Sequence, residues 1–220
     1  MDRRPTGRKA LVSAILFIEG GASGANSKEL TIRCQKAFHR LLERMDLDLQ
    51  GRKPKLRACG GRDRVFRDFR TEMQAGDHDY IAMWIDSEEP MADIEQTWKH
   101  LARVTTVAPW EKPDGAMDDQ VLFMTTCMET WIVADRAALR EHYHPKQSLN
   151  ESPLPSTTDL EARQRHEVQQ ALERATENCK NGYSKGRRSF EIFEKLDPAI
   201  LKQHLPSFAR VHRILKAKLT

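Results

Sequence analysis

The sequence predicts an α/β protein: a mostly parallel four-stranded sheet flanked by helices, with a helical C-terminal extension. Three observations carry this. Short, almost wholly apolar runs recur at residues 10–18, 79–86 and 120–126, as expected of strands buried on both faces. Segments with apolar residues at helical spacing alternate with them, the pattern of parallel strands joined by crossover helices. Beyond about residue 159 the strand-like runs stop and only helical patterning remains.

The first run, ALVSAILFI, ends on Glu19-Gly20-Gly21. After the loop GGASG, Asn26 with Glu29 three residues on reads as a capping box. Leu30, Cys34, Phe38, Leu41, Leu42 and Met45 then recur on one helical face, which predicts a helix over 27–45. PKLRAC at 54–59, bounded by Pro and Gly-Gly, predicts the second strand, and a basic helix follows with Val65, Phe66, Phe69 and Met73 turned inward. DYIAMWID at 79–86 is the third strand, a helix is expected over 91–103, and QVLFMTT at 120–126 is the fourth strand. CMETWIVAD and AALREHY read as helices, and the Pro/Ser/Thr-rich 145–158 as a linker or loop. A long charged helix over 159–179 and two or three short helices broken at Pro198 and Pro206 complete the chain. The expected organisation is an α/β core over 1–144, a linker over 145–158 and a helical extension over 159–220 that packs on the core.

Composition narrows the function classes. The 220 residues are 39% hydrophobic and 31% charged, polar yet too periodic for disorder. No apolar run approaches the roughly 18 residues of a membrane span, and the N-terminus lacks a signal-peptide pattern, so a cytoplasmic protein without membrane contact is expected. Cys34, Cys59, Cys127 and Cys179 form no CxxC pair, which excludes a zinc knuckle or redox motif of that kind and leaves buried thiols. GGASG fits neither the dinucleotide nor the P-loop pattern. Charge is segregated: residues 77–135 hold 13 acidic against 3 basic residues, whereas 52–72 hold 8 basic against 3 acidic and 180–220 hold 10 against 3. Carboxylates for a cation between basic arms for a phosphate backbone would give this pattern, as would ordinary solvated helix faces.

In parallel α/β sheets functional groups collect beyond the C-terminal ends of the strands, where Glu19 and Asp86 both stand. If the strand runs on past Asp86, Glu88 lies on the same side. Such a set offers the hard oxygen ligands that Mg²⁺ prefers, with Mn²⁺ as a substitute, and Glu19 is either a ligand or a general base. A lone strand-end acid commonly caps a helix or stays solvated. Two apolar strands that each end on one weaken that explanation. Glu129, an acid inside the apolar stretch 124–134, is a further metal-ligand candidate. Arg62, after Cys59-Gly60-Gly61, projects toward the Glu19 edge and is a candidate phosphate contact. Lys185, Arg187 and Arg188, next to Tyr183, form a candidate nucleic-acid-binding loop. His142 and His144 have no third ligand nearby in sequence and read as a helix C-terminus.

The patterns ILFIEGG at 15–21 and MWIDSE at 83–88 resemble the TOPRIM domain of topoisomerases, primases and related nucleases, with its strand-end Glu-Gly and later D-x-D. More closely, with CMETW at 127–131, Asp135 and YSKG at 183–186, the chain resembles a bacterial TOPRIM-related family of unknown function often encoded beside an AAA or ABC-type ATPase. The resemblance implies a TOPRIM-like, Rossmann-like fold and a Mg²⁺-dependent nuclease acting on DNA or RNA, tRNA included. It also implies a place as effector of an anti-phage defence system with an ATPase partner; self-association into a homo-oligomer stays open. Glu88 departs from the pattern, since a longer side chain replaces the second Asp. The alternatives are a non-catalytic adaptor that binds an ATPase or nucleic acid, and an enzyme of small-nucleotide phosphotransfer or hydrolysis.

Overall fold

The computed structural model describes residues 13–21, 27–49, 53–104, 110–143 and 148–220. Strands β1 (Ala14–Glu19), β2 (Lys55–Gly60), β3 (Tyr80–Asp86) and β4 (Val121–Met124) form one sheet in the order β2-β1-β3-β4. Every pairing is parallel, which makes the fold Rossmann-like. Helices α1 (Ser27–Arg44), α2 (Arg62–Ala75) and α3 (Thr97–Val104) follow β1, β2 and β3 in turn.

The apolar character of β1 and β3 follows from their central position. Ile15 and Phe17 of β1 and Ile81, Met83 and Ile85 of β3 pack with Val65, Phe66 and Phe69 of α2 on one face. Leu16, Ile18, Ala82 and Trp84 pack on the other face against Phe38 and Leu41 of α1. β2 lies at an edge and alternates, with Lys55 and Arg57 exposed and Leu56 buried.

Helices α4 (Met128–Ala134), α5 (Arg136–His142), α6 (Arg165–Thr176), α7 (Arg187–Phe193), α8 (Pro198–His204) and α9 (Pro206–Leu219) complete the chain. Val168, Leu172, Phe193, Phe208 and Val211 from these helices join the same apolar cluster as α1 and the sheet face. At its centre the Trp131 ring meets Trp84 at 6.0 Å and Phe208 at 4.8 Å. Each such buried ring contributes about 2–3 kcal/mol from the area removed from water.

Several boundaries differ from the expectation for local physical reasons. α3 starts at Thr97 rather than near 91, because the Asp118 carboxylate accepts from the Trp98 N–H and the Thr97 hydroxyl and caps the helix there. The 159–179 helix shrinks to α6, preceded by a 3₁₀ turn over Leu160–Ala162. Pro198 and Pro206 begin helices instead of only breaking them, since a first-turn position needs no N–H donor. The segment expected as a loop is tied down where it is described. Arg136 donates to the Pro155 carbonyl, Arg140 pairs with Glu151, and the Asn150 N–H reaches the Ala175 carbonyl. Residues 10–12, Asn26 and His144 lie outside the described residues. All four cysteines are buried thiols outside any disulfide, and among the described residues no helix is long and apolar enough to cross a membrane.

Candidate metal centre

The chain passes from β1 to β2 on one side and then crosses from β2 to β3 on the other side of β1, so the order reverses between β1 and β3. A crevice opens at such a switch point beyond the carboxyl ends of the two strands. Glu19 and Asp86 are the last residues of those strands.

Local backbone geometry fixes both carboxylates. Gly20 has φ +145° and bridges Gly60 through N–H···O bonds of 2.9 and 2.8 Å. A Cβ there would come within 2.7 Å of Cys34 Sγ, so only glycine lets β1 end this tightly against α1. After Asp86 the strand stops. The Ser87 N–H donates to the Met124 carbonyl and the Glu88 N–H to the Thr126 carbonyl, and Glu88 turns through φ +68°. Glu88 therefore reaches the other acids by a left-handed turn, whereas the sequence suggested a continuing strand.

Ligand oxygens of Glu19, Asp86 and Glu88 lie within 4.8 Å of one another. Two ligands of one cation, each about 2.0–2.6 Å from it, stand no more than about 4–5 Å apart, so this spacing suits a single ion. The Asp86 N–H donates to Glu19 Oε2 at 3.1 Å, while Asp86 Oδ1 is buried with no hydrogen-bond partner. Burial pushes the Asp86 carboxyl well above the usual carboxylate range, and the charges of Glu19 and Glu129 add to the effect. Burial raises Glu19 as well, opposed by Arg62, the Asp86 N–H, Arg165 and Lys185. Crowded carboxyls whose charged forms are disfavoured, with a buried oxygen lacking a donor, are what a divalent cation would relieve.

Basic residues border the acids. Arg62 Nη1 is 3.5 Å from Glu88 Oε1, and its guanidinium lies 5.1 Å from the Trp110 ring centroid. Arg62 Nε and Nη2 are buried and make no hydrogen bond. Arg165, at the start of α6, also pairs with Glu88. A cleft of about 350 Å³ beside the acids is lined by Glu19, Asp86, Gly60, Met128, Glu129 and Lys185, among others.

Glu129 lines this cleft but is not one of the three carboxylates that converge. It is 1% exposed, accepts from the Tyr183 hydroxyl at 2.6 Å and from Gln169 Nε2 at 3.2 Å, and lies 4.0 Å from Lys185 Nζ. Tyr183, expected in an exposed basic loop, is buried, and its hydroxyl also meets Ser189 Oγ at 2.8 Å.

Of the four basic candidates, Arg62 and Lys185 stand at the acids. Arg187 pairs with Glu191 at 2.7 Å on the surface, and the charge of Arg188 acts on His142 and Tyr143. Sequence reading missed Arg165, Gln169 and Trp110. Nothing in their local pattern marks them, because only the packing of α6 and the segment after α3 brings them near. Asp135 is structural: it accepts from the Ala138 N–H at the start of α5 and from the Asp197 N–H before α8.

No curated protein and no solved structure matches the chain. Residues 21–216 match the family described as Domain of unknown function (DUF4276), a stretch that takes in Asp86, Glu88, Glu129 and Lys185 and begins just after Glu19. With most of its length matched, the chain belongs to the DUF4276 family.

Proposed function

We propose that the chain is a Mg²⁺-dependent nuclease of the TOPRIM kind that hydrolyses phosphodiester bonds of DNA or RNA. The observation that carries the reading is the convergence of Glu19, Asp86 and Glu88 at the sheet's switch point, with an unpartnered buried oxygen on Asp86. Glu19, Asp86 and Glu88 would hold Mg²⁺ or Mn²⁺, and Glu129 supports the site from the cleft wall. The bound ion would supply positive charge to a phosphoryl oxygen and lower the proton affinity of a water. Arg62, 3.5 Å from Glu88, and Lys185, 4.0 Å from Glu129, would orient the phosphate. The resemblance to TOPRIM-related proteins encoded beside ATPases supports a role as effector of an anti-phage defence system that works with an AAA or ABC-type ATPase.

One observation favours a second reading, a non-catalytic adaptor. Glu88 is engaged by both Arg62 and Arg165, and a cation has to compete with these guanidiniums for it.

Purified protein, alone and with the triggered ATPase, is incubated with DNA and RNA, tRNA included, in Mg²⁺ or Mn²⁺. Wild type should cut while Glu19→Gln and Asp86→Asn should not. Equal cutting by all three, or no cutting under any condition, refutes the nuclease. Calorimetric titration with Mg²⁺ separates the readings: the metal site requires binding that Asp86→Asn abolishes, whereas an adaptor binds the ATPase unaffected by that change.

A further inference from the structure

The outer edge of the sheet carries a charge arrangement that the acidic cleft does not use. Arg57 of β2 and Arg64 and Arg67 of α2 all approach the single carboxylate of Asp68, at 3.6, 4.0 and 3.9 Å. The three arginine side chains are 51, 61 and 67% exposed, against 16% for Asp68. These contacts are longer than the roughly 2.7–2.9 Å of strong charge-assisted hydrogen bonds, and exposed pairs of this kind are worth at most about 1 kcal/mol. The guanidiniums are thus gathered by Asp68 but held weakly, and three of them share one negative charge. The nearby Asp63 keeps its charge but is turned to the Trp110 indole, from which it accepts at 3.3 Å.

We propose that this ridge, formed by Arg57, Arg64 and Arg67, is a docking surface for the phosphodiester backbone of nucleic acid. The inference rests on the nuclease reading and extends it from the cleft to the path by which the polymer reaches it. Gly60 lines the cleft, and Arg57 stands three residues back on the same strand, about 10 Å away at strand rise. Arg62 opens the same helix, α2, that carries Arg64 and Arg67, and its guanidinium reaches Glu88 at 3.5 Å. Charged side chains on an edge strand also discourage edge-to-edge pairing, which gives Arg57 and Lys55 a structural use. That argument does not reach Arg64 and Arg67, which project from a helix. Backbone docking accounts for all three, because exposed, weakly paired guanidiniums can exchange a shared carboxylate for phosphate oxygens.

The test compares the full-length protein with the combined variant Arg57→Gln, Arg64→Gln, Arg67→Gln and with a charge-matched control, Lys180→Gln, Lys202→Gln, Lys216→Gln. Binding of a labelled duplex DNA and a labelled single-stranded RNA is read by fluorescence anisotropy in EDTA across a salt series, and thermal melting confirms that each variant is folded. The ridge variant should bind at least one of the two polymers about 10–100-fold more weakly, with the salt slope reduced by about two to three, while the control changes little. Which polymer responds identifies the substrate. Equal binding by wild type and the ridge variant overturns the proposal, as does an equal loss in the control or no binding of either polymer by wild type. Mg²⁺ calorimetry on the ridge variant keeps the two readings apart. Unchanged metal binding with lost polymer binding supports the ridge, whereas polymer binding that depends on the ridge in a protein that takes up no metal leaves the ridge standing and refutes the metal centre.

Discussion

The backbone N–H of Asp86 donates to Oε2 of Glu19 at 3.1 Å, so the last residue of one strand holds the terminal side chain of its neighbour. The bond fixes the direction of Glu19, and β1–β3 pairing fixes the distance. The carboxylates therefore meet because the strands are in register, with Ile18 opposite Trp84.

Glu19→Gln should lose the metal and keep the fold. The amide oxygen still accepts from the Asp86 N–H, while the crowding of the two acids is relieved. Without metal the variant should melt slightly higher than wild type, by about 1 kcal/mol of stability, and Mg²⁺ should no longer raise its melting temperature. A wild-type-like thermal shift with Mg²⁺ would remove Glu19 from the site.

Glu161 accepts from both the N–H and the hydroxyl of Ser207 at the start of α9, and burial pushes its carboxyl up to about 7. Between about 4.5 and 7 the folded protein thus holds a proton that the unfolded chain has released. Glu161 makes stability fall as pH rises through that window. Glu161→Gln keeps the acceptor oxygen and removes the titration. Relative to the variant, wild type should lose on the order of 1–3 kcal/mol between pH 5 and pH 7.5. Parallel stability profiles in urea would show that Glu161 does not titrate in this range.

Tyr183→Phe removes the hydroxyl that donates to the nearly inaccessible Glu129. Loss of a hydrogen bond to a buried acid should cost about 1.5–3 kcal/mol, and Glu129→Gln in the same background should recover part of it. Additive losses in a double-mutant cycle on chemical denaturation would show the two groups to be uncoupled.

His100 is buried and its Nε2 lies 2.9 Å from the Ser87 carbonyl, between the two acids of the turn, while its Nδ1 is 3.3 Å from an Arg103 nitrogen. A carbonyl on one side and a guanidinium on the other select the neutral tautomer with the proton on Nε2. His100→Phe should cost about 1–3 kcal/mol through the unpaired carbonyl and should weaken Mg²⁺ binding through the loosened turn. Destabilisation with unchanged Mg²⁺ affinity by calorimetry would limit His100 to a packing role.

The α/β class, the four strands and the two strand-end acids were legible in the sequence because each is a local pattern: an apolar run, its length and the residue that closes it. Glu88 was found for the wrong reason, since a left-handed turn and not a continuing strand brings it in. Helix starts at Thr97 and Arg165 were misjudged because the cap of the first comes from Asp118 and the second follows a 3₁₀ turn. By itself the sequence determined which strands are buried on both faces and where their acids fall, because burial and periodicity are written along the chain. Only the tertiary structure decided that Arg62 and Arg165 share Glu88, that Tyr183 turns inward to Glu129, and that three arginines meet at Asp68. Those contacts join residues far apart in sequence, and the order in which strands and helices pack is what brings them within reach.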